Sequence, residues 1–231
     1  MSAHEGTDFL YPFIDAEERD SAALLVDLAA SANGKAVQSA RLRVATLDRL
    51  GSELEGLARA MAERIGRGGR VFSFGNGGSS TDAASFAALL AHPPWGRPLP
   101  ARSLVADESI LSALGNDVGF ELVFSRQLIA YAGSSDVAVG FSTSGNSENV
   151  MRAFGEARSR DMLTVGLAGY EGGQMAACQY LDHCLVVRSD SVHRIQETQA
   201  GLVASVWARL QVCLGEVPAD GSAWSVASVA S

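Results

Sequence analysis

Residues 71–91 read VFSFGNGGSSTDAASFAALLA, in which a β-prone run, a glycine-rich turn and a helical stretch follow one another directly. The β-prone part begins at Arg70, and four more such runs follow along the chain: ARSLVA (101–106), DVAVGF (136–141), MLTVGLAG (162–169) and HCLVVR (183–188). Strands that alternate with helices pair in parallel and take crossover helices on both faces of the sheet. The sequence therefore predicts an α/β fold with a parallel sheet of about five strands flanked by helices.

Helical periodicity flanks this pattern on both sides. Residues 16–31 and 35–66 are rich in Ala, Leu, Glu and Arg, and a last helix is predicted from about Val192. The end of the chain shows no periodicity. We therefore predict three parts: an N-terminal helical extension over 1–66 that packs on the core or on another subunit, an α/β domain over 67–217, and a flexible tail over 218–231.

Composition and charge exclude several classes of protein. With 18 basic and 26 acidic residues the net charge is −8, which gives no cationic surface for nucleic acid. The chain starts MSAHEGTDFLYPFIDAEERD, which is acidic where a signal peptide is basic, and no apolar run approaches the roughly 20 residues that span a membrane. The three cysteines have no CxxC spacing and suit packing roles in a reducing compartment. We expect a cytoplasmic protein that binds neither nucleic acid nor membranes.

The turn after the first strand, Gly75-Asn76-Gly77-Gly78-Ser79, suits an anion such as phosphate. Glycines allow the backbone to approach a ligand closely, and the first N–H groups of the next helix are donors. No Gly-Lys-Ser/Thr follows and the full GxGxxG spacing is missing, so the turn is neither a Walker loop nor a dinucleotide fingerprint. A plain strand-to-helix turn with Ser79 or Ser80 as N-cap is the alternative.

A second polar turn follows DVAVGF. Here Ser142, Thr143, Ser144 and Ser147 place four hydroxyl groups within six residues, and Gly145 permits the bend. Neutral donors together with a helix dipole suit a phosphate monoester without any lysine. Capping explains Ser147 alone, but four hydroxyls exceed what a cap needs. Because the carboxyl ends of neighbouring parallel strands face one crevice, we expect the two turns to form one ligand site.

These motifs, in this order, resemble the sugar isomerase (SIS) family and its phosphoheptose isomerase branch. The resemblance implies a single SIS domain with a parallel sheet between helices, assembled as a homotetramer with sites at subunit interfaces. It also implies binding of carbohydrate derivatives and interconversion of sedoheptulose 7-phosphate with a heptose 7-phosphate through an enediol. The matching segments lie between about Arg70 and Leu214: GNGGSSTDAASFA, ALGNDVGFELVFSRQ, GFSTSGNSENV, EARSRDMLTVGLAGYEGGQMA and RIQETQ.

The resemblance assigns site residues position by position. Asp107, Asn116 and Asp117 match a polar loop that lines the site, and Gln196 on the last helix matches a glutamine in it. Two neighbours of Gln196 that the resemblance does not assign are further candidates for proton transfer: Glu197, which adjoins it, and His193, about one turn before it. The alternatives are a helix-facing position for Glu197 and a solvated one for His193. Phosphate and sugar contacts fall on the two turns, at Asn76, Gly77, Gly78, Ser79, Ser142, Thr143, Ser144 and Ser147.

The chain departs from the family at the positions of its catalytic groups. Family enzymes place a His and a Glu four apart after the first turn, and a Gln and a His eight apart on the last helix. Such pairs share a helix face and serve zinc binding and acid–base chemistry. These positions read Ser85, Leu89, Gln196 and Ala204. We therefore expect no zinc or other metal site, and little or no isomerase activity by the family route.

Two functions stay open at this point. One is an aldose–ketose isomerase with an altered catalytic set, and the other is a non-catalytic module that senses a sugar phosphate or regulates a protein partner. The intact turns fit both, whereas the replaced base positions favour the second. An NAD-binding oxidoreductase is disfavoured, because the first turn lacks the dinucleotide spacing and the second turn would have no role.

Overall fold

The structure is a computed structural model that describes residues 21–217. Two compact units divide the chain, residues 1–38 and residues 39–231. The described part of the first unit is the beginning of helix α1 (Ser21–Arg49), in which residues 24–38 are exposed. Within residues 21–217, no helix combines the length and the apolar character that a membrane span requires. The predicted flexible tail, 218–231, lies outside the described residues.

The two predicted N-terminal helices are divided at a different place than the sequence indicates. Helix α1 runs without a break through Gly34, and the break falls at Leu50, before helix α2 (Gly51–Gly66). Hydrogen bonding continues across it, because the Leu50 N–H donates to the Thr46 carbonyl at 3.0 Å and the Leu54 N–H to the Leu50 carbonyl at 2.9 Å. A single helical glycine costs only about 1 kcal/mol relative to alanine, so Gly34 does not end the helix.

Five parallel strands form one sheet in the order β2-β1-β3-β4-β5, which confirms the predicted fold class. Each strand lies where a β-prone run predicts it. The strands are β1 (Val71–Gly75), β2 (Ala101–Ser103), β3 (Val137–Ser142), β4 (Leu163–Gly169) and β5 (His183–Val187). The remaining helices are α3 (Gly78–Ala91), α4 (Glu108–Asp117), α5 (Val123–Tyr131), α6 (Glu148–Ser159), α7 (Gly173–Ala176) and α8 (Val192–Cys213), with a 3-10 turn at Phe120–Leu122.

Both faces of the sheet are covered by helices, which explains why its central strands are apolar at nearly every position. One face carries α2, α3 and α8, and Phe86 and Leu202 belong to its core. The other face carries α5 and α6, where the Phe74 and Phe154 rings lie 5.5 Å apart. Alternate residues of β1 and β3 supply the two cores, as the two-residue period of a strand requires.

The connections after β1 and β3 leave the sheet on opposite faces. β1 leads into α3, whose Phe86 packs in the first core, and β3 leads into α6, whose Phe154 packs in the second. β1 and β3 are neighbours, and β2 lies on the other side of β1, so the strand order reverses there. In open α/β sheets such a reversal opens a crevice at the carboxyl ends of the strands.

Candidate functional site

The first turn, residues 75–79, uses a backbone conformation that glycine adopts readily. Gly77 has φ 54° and ψ −125°, and α3 begins at Gly78 without a side-chain cap. The Ser80 hydroxyl donates to the Gly77 carbonyl at 2.6 Å, so it closes the turn instead of capping the helix. Gly77 and Gly78 are exposed. The start of α3 therefore exposes glycine backbone to solvent, which is what an anion-binding helix start requires.

The serine hydroxyls of the second turn form a connected row. Ser142 Oγ lies 2.9 Å from Ser147 Oγ and 3.4 Å from Ser144 Oγ. Ser147 occupies the N-cap position of α6 but makes no side-chain cap bond, so capping does not account for its hydroxyl. Thr143 is half-buried, and its carbonyl accepts the Gly169 N–H at 3.0 Å. Hydroxyl protons rotate to suit an acceptor, and the start of α6 adds its dipole.

Backbone packing from the β4–α7 connection holds the second turn in place. Gly145 has φ 66°, and a Cβ there would lie 2.0 Å from the Gly172 carbonyl oxygen. The Met175 N–H donates to the Gly145 carbonyl at 3.0 Å, and the Gln174 N–H donates to Asn146 Oδ1 at 2.9 Å. Sequence reasoning missed this support, although the Gly-Gly pair at 172–173 was a signal of close backbone approach.

The two turns lie side by side, as the sequence predicts. β1 and β3 pair up to the register Gly75↔Phe141, so both turns begin at the same edge of the sheet. A reciprocal amide pair joins them beyond the sheet: Asn76 Nδ2 donates to Asn149 Oδ1 at 2.8 Å, and Asn149 Nδ2 donates to Asn76 Oδ1 at 2.9 Å. Asn149 is buried in the first turn of α6 and was not among the predicted site residues.

Gln196 on α8 lies against the first turn. A Cβ on Gly78 would be 2.5 Å from Gln196 Nε2, so a larger residue at this position would require the Gln196 amide to move. Gln196 Nε2 donates to Asp82 Oδ2 at 3.0 Å. Burial raises the pKa of the Asp82 carboxyl above its ordinary 3.8, and the hydrogen bond from Gln196 lowers it in part. Sequence reasoning missed Asp82, although it lies one helical turn after the glycine-rich segment.

The predicted polar loop lies on α4, and its hydrogen bonds stay within that helix. Asp107 is the N-cap, accepting the Ile110 N–H at 3.1 Å. Asn116 Nδ2 donates to Asp117 Oδ1 at 2.7 Å, and both residues are exposed at the end of the helix. The structure thus gives Asp107 a structural partner and leaves the Asn116–Asp117 pair facing solvent.

The two tentative proton-transfer residues differ in their surroundings. Glu197 is exposed, and its carboxylate accepts a hydrogen bond from the Ser39 hydroxyl on α1. His193 is exposed in the first turn of α8. Both positions match the alternative interpretations, a helix-facing carboxylate and a solvated histidine.

The positions that match the family's zinc and acid–base groups offer few donor atoms. Ser85 is exposed, Leu89 is half-buried and packs against the first core, and Ala204 is half-buried. Gln196 supplies the one amide of the set. Within residues 21–217, no group of three or more His, Cys, Asp or Glu side chains is arranged to hold a metal ion.

Comparison with known proteins agrees with this geometry. The SIS domain profile matches residues 36–169. A phosphoheptose isomerase from Solidesulfovibrio magneticus is 46% identical over 153 residues, which are 64% of this chain and 72% of that protein. One from Nitratidesulfovibrio vulgaris is 40% identical over 178 residues, 74% of this chain and 84% of that protein. The phosphoheptose isomerase structure from Neisseria gonorrhoeae aligns with a TM-score of 0.73 at 35% identity, covering 80% of this chain and 99% of that one.

The chain therefore belongs to the SIS domain family. Within it, the curated relatives and the aligned structure confirm the predicted phosphoheptose isomerase branch.

The raised pKa of Asp82 predicts a pH-dependent effect of Asp82→Asn. Between the ordinary pKa of 3.8 and the raised one, the folded state binds more protons than the unfolded state, so stability falls as pH rises through this window. The substituted amide would keep an acceptor for Gln196 without the buried charge. Relative to the parent, the variant is expected to gain free energy of unfolding, measured with urea, on going from below pH 3.8 to neutral pH. A relative loss over the same range would contradict the burial of this carboxylate.

Proposed function

We propose that the chain binds a phosphorylated sugar of the phosphoheptose type across the two turns. The phosphoryl group is held by Ser142, Ser144 and Ser147 at the start of α6, and the sugar extends toward the first turn and Gln196. The row of three serine oxygens at an uncapped helix start is the observation that carries this proposal. The names of the curated relatives support the substrate class.

Replacing one hydroxyl of the row tests the phosphate contact. Ser144→Ala removes a donor to a charged acceptor, and we expect a loss of roughly 1.5 to 3 kcal/mol in binding free energy for sedoheptulose 7-phosphate. Isothermal calorimetry measures it. Ser159→Ala is the matched control, because that hydroxyl donates to the Glu156 carbonyl at the other end of α6. Equal affinities for the two variants would rule out Ser144 as a phosphate ligand.

The two candidate functions, isomerase and non-catalytic regulator, differ in whether the protein catalyses the isomerisation step. Proton transfer between adjacent carbons needs a positioned acid–base group, whose loss lowers rates by about 10² to 10⁴. Leu89 and Ala204 have no atom that accepts a proton or binds a metal, and the Gln196 amide already donates to Asp82. This donor set does not fit zinc. These residues count against turnover by the family route. An isomerase with an altered catalytic set and a sugar-phosphate sensor or partner-binding regulator are the two candidates that the next measurement separates.

The purified protein is accordingly expected to contain no zinc and to convert sedoheptulose 7-phosphate at well under the usual enzyme range of about 1 to 10³ per second. Elemental analysis and NMR of the reaction mixture are the measurements. The variant Ser85→His/Leu89→Glu/Ala204→His restores both helical pairs and is expected to take up zinc. Rapid turnover in the unsubstituted protein would establish the isomerase candidate, and stoichiometric zinc would contradict the interpretation of the donor set.

We also propose that the protein assembles as a homotetramer. The support is the described part of the first unit, which exposes Leu24, Leu25, Val26 and Leu28 on more than one side of α1. Exposed apolar clusters of this kind mark interaction surfaces, and closed symmetric oligomers are the usual outcome for identical chains. Light scattering at micromolar concentration is expected to give four times the chain mass, and a stable monomer would reject the proposal.

A further inference from the structure

The Asn76–Asn149 pair differs from the other side-chain contacts of the site, because its two hydrogen bonds are reciprocal and join the two turns. Each amide uses its carbonyl oxygen and one N–H in the reciprocal bonds of 2.8 and 2.9 Å. A primary amide has two N–H donors and one carbonyl oxygen. The pair therefore commits the Asn76 carbonyl oxygen and one of its two N–H groups to Asn149, so the orientation of the Asn76 amide is fixed by this partner.

The two asparagines lie at different turns of the site, so their contact can set the distance between these turns. Asn76 follows β1 in the first turn, and Asn149 lies in the first turn of α6, immediately after the serine row. Within residues 21–217, no other side-chain hydrogen bond joins residues 75–80 to residues 142–149. Beyond the last strand pair, Gly75↔Phe141, the amides are thus the direct polar link between the turns.

Burial makes the link stiff. Asn149 is 3% exposed and Asn76 is half-buried. Hydrogen bonds shielded from water are stronger electrostatically, and breaking one leaves a buried amide without a partner. The cyclic arrangement also fixes the rotation of both amide planes. A displacement of either turn would therefore break two bonds at once.

We propose that Asn76 and Asn149 are positioning residues that hold the two turns at the spacing a sugar phosphate requires. This inference rests on the proposed binding of a sugar phosphate. It separates two parts of the site: the serine row holds the phosphoryl group by itself, whereas the sugar is bound only when the first turn is held against it.

Two ligands distinguish this role from a general structural one. Inorganic phosphate occupies the serine row alone, and sedoheptulose 7-phosphate spans both turns. Asn149→Ala and Asn76→Ala are each expected to weaken sedoheptulose 7-phosphate binding about tenfold, the cost of roughly one net hydrogen bond. Inorganic phosphate affinity is expected to stay within about twofold, since that ligand does not need the amide link. Calorimetry on both ligands measures the difference.

The double variant Asn76→Ala/Asn149→Ala completes the test. Because the residues act as one unit, it is expected to bind no more weakly than the weaker single variant. Three results would each overturn the inference. The affinity losses of the two single variants could multiply in the double variant, Asn76→Ala could weaken sugar-phosphate binding while Asn149→Ala does not, or both ligands could lose affinity equally. Asn149→Leu, which keeps the branched shape and removes the amide without adding charge, is expected to give the same pattern and replaces Asn149→Ala if that variant does not fold. If the parent protein binds neither ligand, the proposed function fails instead.

Discussion

The site depends on one constraint: the chain leaves two neighbouring parallel strands, β1 and β3, toward opposite faces of the sheet. β1 and β3 lie side by side, but α3 and α6 pack on opposite faces of the sheet. A crevice therefore remains at the carboxyl ends of β1 and β3, and two helix starts and two polar turns face it. The groups of the two turns that are proposed to bind the ligand owe their place to that separation, and Gln196 joins them from α8. The large apolar cores on both faces, rather than any polar contact, hold the helices apart.

The proposed anion site uses neutral groups, which agrees with the same arrangement. The chain carries a net charge of −8, and the residues proposed to hold the phosphoryl group are all neutral. Helix starts and hydroxyl groups supply partial positive charge that is fixed in direction, which costs little to arrange once the turns are rigid. Contacts with neighbouring segments hold the two turns in place: Gly172 packs on Gly145, and Asn149 forms a hydrogen bond with Asn76. These supporting residues are therefore as much a part of the site as the hydroxyl groups.

The sequence predicted the strands, the sheet class and the convergence of the turns, because periodicity and the turn after each strand are local signals. It did not predict the break at Leu50, because the helical periodicity continues across this position. Asp82 and Asn149 were also missed. Their significance lies in partners distant in sequence, Gln196 and Asn76, and no local pattern reveals such a pairing. Glu197 is a related case: the sequence suggested it for proton transfer, but its carboxylate accepts a hydrogen bond from Ser39, more than a hundred residues away.

Recognition of a phosphorylated sugar through its phosphoryl group is the property of the crevice on which the proposed function depends. Calorimetry on the unsubstituted protein with sedoheptulose 7-phosphate and with unphosphorylated sedoheptulose tests it most directly. Saturable binding of the phosphate ester, with no detectable binding of the free sugar at the same concentrations, is the predicted result. Equal affinity for the two ligands, or no binding of the ester, would contradict the assignment of the serine row.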